Sequence, residues 1–240
     1  MEYNKIVENI IDSVRPLQGQ GKQADYIPAL ANVNPDQMGI CIETIGGAAY
    51  TYEKADTRFS IQSISKVFAL AMAFSIEGEG LWERMGREPS GTAFNSLVQL
   101  EIEQGKPRNP FINAGAIVMT DILCERLKDP EGFFLQFVRN MSGSNTINYN
   151  HAVAESEREQ GYLNAAIINL LKYHGNIKGD IERVLRFYFL MCSVEMSCRE
   201  LAHAFLPFAD HTKPFDYTDV YLTRSQVKRI NAIMQTCGFY

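Results

Sequence analysis

A single lysine, Lys66, stands at the head of eight consecutive apolar residues, Val67–Phe74, and no other charge follows until Glu77. A helix made from such a run is apolar on every side, so it must pass through the middle of a fold rather than across its surface. The amine then has two options. It reaches water along its flexible stem, or it is stripped of water and pushed toward its neutral form. Ser63 lies three residues earlier. Helical residues at that spacing share a face, so a hydroxyl and a partly neutral amine are expected side by side. A serine is a poor nucleophile near neutral pH unless a base takes its proton, and Lys66 is placed to do so. With Ser63 at the first helical position, unpaired N–H groups and the positive end of the helix dipole would favour an oxyanion there.

Spacing alone does not decide between these options. With 13 serines and 10 lysines in 240 residues, Ser-x-x-Lys arises by chance about once in every two such chains. Ser225-Gln226-Val227-Lys228 repeats it, and there Ser225 reads as an ordinary N-cap with Lys228 exposed. Two readings of Ser63 therefore stand side by side: a Ser-Lys dyad, or a capped core helix with a snorkelling lysine.

At 46% apolar and 21% charged residues the chain has enough core for one large domain or two closely packed ones. A net charge of -5 with both signs scattered leaves no basic stripe for nucleic acid. Met1-Glu2-Tyr3-Asn4-Lys5 carries no signal-peptide pattern, and no apolar run nears the roughly 20 residues of a membrane span, so a cytoplasmic protein is expected. The five cysteines, Cys41, Cys124, Cys192, Cys198 and Cys237, sit mostly among apolar neighbours and read as reduced core thiols. The four histidines show no paired spacing, and no metal is predicted.

In chain order, Ile6, Ile10, Val14 and Leu17, with Val7 and Ile11 beside them, predict an amphipathic helix ended by Arg15-Pro16. Ala24–Leu30 reads as a turn. Gly39–Thr44 and Ala48–Tyr52 read as a hairpin about Gly46-Gly47, the one clear strand pair. Helical patterns dominate after the serine segment. A loop, Lys106–Pro110, delivers Asn113, which reads as the N-cap of the next helix. Pro130 starts another helix that Ser142-Gly143 closes. Glu155–Asn164 is polar, a surface helix by default, and it sets Glu157 and Asn164 on one face if Gly161 does not break it. Ile181, Val184, Leu185, Tyr188 and Cys192 form one stripe, which makes Tyr188 a core tyrosine whose hydroxyl needs a partner. Ser225–Cys237 is the last helix, with Gly238 as its stop.

Taken together, five stretches resemble the bacterial glutaminase family: Ala24–Pro28, Ser60–Lys66, Asn109–Ala116, Glu155–Arg158 and Cys237–Tyr240. The likeness runs from the first helix to the last residue. It implies the serine β-lactamase and penicillin-binding-protein fold, in which Ser-x-x-Lys carries the chemistry. That is an α/β (α+β) architecture, an antiparallel sheet flanked by helices plus an all-helical domain. The expected division is residues 1–62 with 208–240 in the sheet domain and 63–207 in the helical one, with the active site at the junction. The resemblance further implies Ser63 as nucleophile, Lys66 as base and Tyr240 as a proton carrier. Tyr26, Gln62, Asn113, Glu157, Asn164, Tyr188 and Tyr240 would line a pocket for L-glutamine. No cofactor is implied, and the expected assembly is a homo-oligomer, a tetramer.

Members of that family continue past the Cys-Gly-aromatic-Tyr stretch into further strands, one of which supplies a second oxyanion donor. An incomplete sheet and oxyanion site are therefore expected here, because a lone two-stranded sheet is marginal. Two other functions remain open from sequence. One is a different Ser-Lys acyl-transfer hydrolase such as a β-lactamase; the other is a non-catalytic glutamine-binding or assembly subunit.

Overall fold

The structure, a computed structural model, describes residues 2–238. The chain opens with α1, Tyr3–Val14, which gives way to a 3-10 turn at Arg15–Leu17 where Pro16 removes an amide donor. Pro28 starts a one-turn helix, α2, Pro28–Ala31, where a turn was expected. The expected hairpin forms from β1, Gly39–Glu43, and β2, Ala49–Glu53, in antiparallel register Gly39 to Glu53 through Glu43 to Ala49. A two-residue strand β3, Phe59–Ser60, leads through a 3-10 turn, Gln62–Ile64, into α3, Ser65–Glu77. Short helices α4, Leu81–Arg84, and α5, Leu97–Ile102, follow.

The helical half then contains α6, Asn113–Arg126, and α7, Pro130–Ser142, which Gly143 ends in the left-handed conformation. It continues through β4, Asn148–Tyr149, α8, His151–Gln160, α9, Tyr162–Tyr173, and α10, Ile181–Cys192. The chain finishes with β5, Val194–Met196, α11, Cys198–Ala209, β6, Phe215–Tyr217, β7, Val220–Leu222, and α12, Arg224–Cys237. Two strand groups go beyond the single pair expected from sequence: β3-β5-β4 and β6-β7, both antiparallel. Their members are two or three residues long, too short to show alternation.

Helix α3 is the axis of the fold. Every residue from Ser65 to Phe74 is buried, and α6, α7, α10, α12 and β7 pack around it. On α1 the buried line is Val7 and Ile11, whereas Ile10 and Val14, and Leu17 in the turn that follows, are exposed. The reason is that α1 touches the fold along one narrow seam against the β1-β2 hairpin, where the Tyr3 and Tyr50 rings meet at 5.0 Å. At the far end, the capping box that starts α12 is built on Thr223 and Gln226 rather than on Ser225. Among the described residues no helix is long and apolar enough to cross a membrane.

Helix α6 is pinned at both ends. Toward its C-terminal half, Asp121 is fully buried and accepts from Arg84 and from the Lys178 and Gly179 N–H groups at 2.5, 3.1 and 2.8 Å. At its first turn, Gly115 lies against the preceding loop so closely that a Cβ there would sit 2.0 Å from the Asn109 carbonyl oxygen. That neighbour is backbone and has no rotamer to yield. Gly115→Ala is therefore expected to destabilise the protein by about 1–3 kcal/mol despite the better helix propensity of alanine. Urea unfolding checks this: the midpoint falls and the slope is unchanged.

Candidate active site

The site begins where β3 stops. Strand pairing of Phe59 and Ser60 with β5, continued by Ile61 N–H donating to Val194 O at 2.8 Å, holds the chain straight up to Ile61. Gln62 then takes φ +49°, a left-handed conformation that a residue with a Cβ adopts at some cost. Local bonds hold it there. The Ser65 hydroxyl donates to Gln62 O at 2.7 Å, and the Gln62 amide donates to Ser60 Oγ at 3.1 Å. Ser63 consequently lies in the 3-10 turn that precedes α3, not at the first position of that helix. The bend at Gln62 tightens the entry into the helix and sets Ser63 on a cavity wall.

Lys66 does not snorkel. It is 1% exposed, and Nζ donates to Phe111 O and to Asn113 Oδ1, each at 2.9 Å, with the Phe94 ring centroid 6.0 Å away. Burial lowers its pKa to about 8, against the opposing pull of Cys192 and Glu157. Asn113 is the first residue of α6 rather than its N-cap, a place taken by Ile112. Its side chain is thereby free to face inward. Because an ammonium or amine bound this way donates, the Asn113 oxygen must point at Lys66, and its amide nitrogen donates to Asn164 Oδ1 at 3.0 Å. The amide nitrogen of Asn164 is left as a donor.

One cavity of about 340 Å³ gathers the residues expected from sequence: Tyr26, Gln62, Ser63, Asn113, Glu157, Asn164 and Tyr188 all line it. Tyr240 lies outside the described residues. Glu157, on α8, is 7% exposed. Burial raises its pKa to about 7, partly offset by a hydrogen bond from Gln62 and the charge of Lys66. Tyr188 is buried on α10, and desolvation raises its hydroxyl pKa well above the ordinary tyrosine value. Gly161 separates α8 from α9, yet Glu157 and Asn164 still reach the same cavity. A Cβ on Gly161 would meet the Phe189 ring at 2.6 Å, so glycine lets this corner close onto α10.

Phe94, Asn95, Gln160 and Cys192 also line the cavity and were not singled out from sequence. Cys192 was within reach of the argument, since it follows Tyr188 by one helical turn on the same stripe. Phe94 and Asn95 come from an irregular segment before α5 that carries no period to read. The cavity wall carries a hydroxyl and a carboxylate that ionises near neutrality, and its Asn113 bonds the buried amine of Lys66, whose pKa is depressed.

Comparison with known proteins agrees with this geometry. The profile of the Glutaminase family matches residues 21–240. A glutaminase of Christiangramia forsetii is 48% identical over 240 residues, which is all of this chain and 79% of that protein. Glutaminase 2 of Escherichia coli K12 is 50% identical over 238 residues, 99% of this chain and 77% of its own length. Among solved structures, the probable glutaminase ybaS superposes with a TM-score of 0.87 at 30% identity over 98% of this chain and 77% of that one. A probable glutaminase from Bacillus subtilis, solved with 6-diazo-5-oxo-L-norleucine, gives 0.84 at 26% identity over 100% and 75%. With sequence and backbone both aligned through the cavity-lining segments, this chain belongs to the glutaminase family, whose fold is of the serine β-lactamase-like kind.

Proposed function

We propose that this protein hydrolyses the side-chain amide of L-glutamine to L-glutamate and ammonia through an acyl-enzyme on Ser63. The observation that carries the reading is one small cavity lined by Ser63 and the buried carboxylate of Glu157, with the buried and partly neutral Lys66 bonded to Asn113 of its wall. Glutamine is a zwitterion with an amide at its far end. Glu157 meets its α-ammonium, while the Asn164 amide, the Tyr188 hydroxyl and the second N–H of Asn113 serve its α-carboxylate. The side-chain amide then points to Ser63.

In the first step Ser63 Oγ attacks the amide carbon and Lys66 Nζ takes the hydroxyl proton. The tetrahedral oxyanion is met by the Ser63 backbone N–H. Lys66 returns the proton to the nitrogen as the C–N bond breaks, and ammonia leaves. Water, deprotonated by the same amine, then attacks the glutamyl ester and releases glutamate. The family resemblance adds Tyr240 as a second proton carrier. The same reading places the site at the junction of a sheet unit, residues 1–62 with 208–240, and a helical unit, residues 63–207. It also makes the protein a cytoplasmic homotetramer, which light scattering on the purified chain tests.

Two predictions follow from the roles of Ser63 and Glu157. Ser63→Ala is expected to lower the rate of ammonia release by about a thousandfold or more with little change in folding. A variant as active as the parent would remove Ser63 from the chemistry. Glu157→Gln removes a buried charge partner for the ammonium and should raise KM by about a hundredfold. The sign of the pH effect is fixed by the raised pKa. Glu157 is largely protonated below about 7, and binding a cation favours its ionised form, so KM falls as pH rises through that value and then levels. In Glu157→Gln this dependence should vanish; KM profiles that coincide for the two proteins would refute the assignment.

A further inference from the structure

We propose that Asn109 is a positioning residue for Lys66, acting through the peptide bond between Phe111 and Ile112. This rests on the reading of Lys66 as the base. Asn109 is fully buried, and its carboxamide makes three hydrogen bonds. Oδ1 accepts from Phe111 N–H at 2.9 Å and from Ile112 N–H at 3.2 Å, and Nδ2 donates to Glu88 O at 2.9 Å. The second of these bonds is the informative one. The Ile112 N–H and the Phe111 C=O belong to the same peptide unit. The chain has no cis peptide among the described residues, and in a trans peptide those two groups point in opposite directions. Asn109 therefore grips one edge of a rigid plate whose other edge presents the carbonyl that Lys66 Nζ bonds at 2.9 Å.

The surroundings keep the plate from turning. Gly86 N–H donates to Pro107 O at 2.7 Å and Glu88 N–H donates to Arg108 O at 2.9 Å, which ties the loop before Asn109 to the segment that receives its amide. A Cβ on Gly86 would lie 2.6 Å from Arg108 O, so these backbones are in direct contact. A carbonyl whose own N–H is already hydrogen-bonded is also a better acceptor. Asn109 thus sets both the direction in which the amine is held and the strength with which its protonated form is stabilised. Among the described residues, other groups near Lys66 are Asn113 on α6, Glu157 on α8, Cys192 on α10 and the Phe94 ring. None of these touches the Phe111–Ile112 peptide through its N–H, which is the place Asn109 occupies.

The test compares Asn109→Ala with Asn109→Asp and wild type, following kcat against pH at saturating glutamine. Under those conditions Glu157 is paired with substrate, and the acid limb of kcat reports Lys66. Asn109→Ala frees the plate. It is expected to lower kcat by about 10- to 100-fold while KM changes by less than about threefold, and to move the acid limb to lower pH because the protonated amine loses part of its bond to Phe111 O. Asn109→Asp keeps an acceptor oxygen for both N–H groups, so it should recover most of kcat and leave the limb at or above the wild-type position. If the alanine variant does not fold, Asn109→Ser, which keeps a weaker acceptor, takes its place with the same downward shift. Equal losses of kcat in the alanine and aspartate variants, or an alanine variant whose limb stays where the wild type has it, would overturn the inference. A wild type without an acid limb, or Lys66→Met as active as the parent, would instead overturn the assignment of Lys66 beneath it.

Discussion

The structure is organised by the burial of one amine. Lys66 sits in the first turn of a helix whose residues Ser65 to Phe74 are all buried, and a charged ammonium in that place costs free energy that water no longer offsets. A fall in pKa from 10.5 to about 8 corresponds to about 3 kcal/mol of bias against the charged form. Cys192 and Glu157 oppose that bias, and two neutral oxygens, Phe111 O and Asn113 Oδ1, accept from the amine. Each is fixed by other bonds in turn: the Phe111 carbonyl by its peptide plane, the Asn113 amide by Asn164. The elements that supply these oxygens are the first turn of α6 and the loop before it, where Gly115 permits backbone contact.

The fold contains a second buried charge, and the contrast is instructive. Asp121 is fully buried too, but Arg84 and two backbone N–H groups meet its oxygens. A buried carboxylate so completely satisfied is inert and serves to pin α4, α6 and the segment before α10 together. Lys66 is held by a carbonyl and an amide, which accept from either protonation state of an amine. That difference in partners separates a structural charge from the base proposed for the reaction, and it lies in three-dimensional contacts rather than in residue type.

Several of these features could be read from the chain alone, and the exceptions have identifiable causes. The charge-free run after Lys66 marked α3 as buried, Pro130 and Gly143 bounded α7, and the stripe from Ile181 to Cys192 became α10, because each depends on short-range pattern. The start of α12 was misplaced although Thr223 and Gln226 spell a capping box, since Ser225 offered a competing cap. The stripe on α1 failed because six apolar positions were available and the hairpin covers a narrower seam, which buries Val7 and Ile11. The left-handed Gln62 and the grip of Asn109 on the next peptides left no periodic trace at all. Neither residue type announces such a role. The cavity residues were gathered from the family resemblance, since Tyr26, Asn113, Glu157 and Tyr188 come from four separate elements or loops with no spacing in common.

The through-space attraction between Lys66 and Glu157 has a mechanistic consequence under the proposed binding of glutamine. In the empty site the carboxylate raises the pKa of Lys66, and the amine lowers that of Glu157, each by through-space attraction. The ammonium of a bound glutamine would neutralise Glu157 and so remove one of the terms that favour protonated Lys66. The amine would lose its proton more readily with substrate present than without. The charge needed for recognition and the neutrality needed for proton abstraction are thus linked with the useful sign: occupancy of the ammonium site makes the base stronger in supply at a given pH, while an empty site keeps more of it protonated and idle.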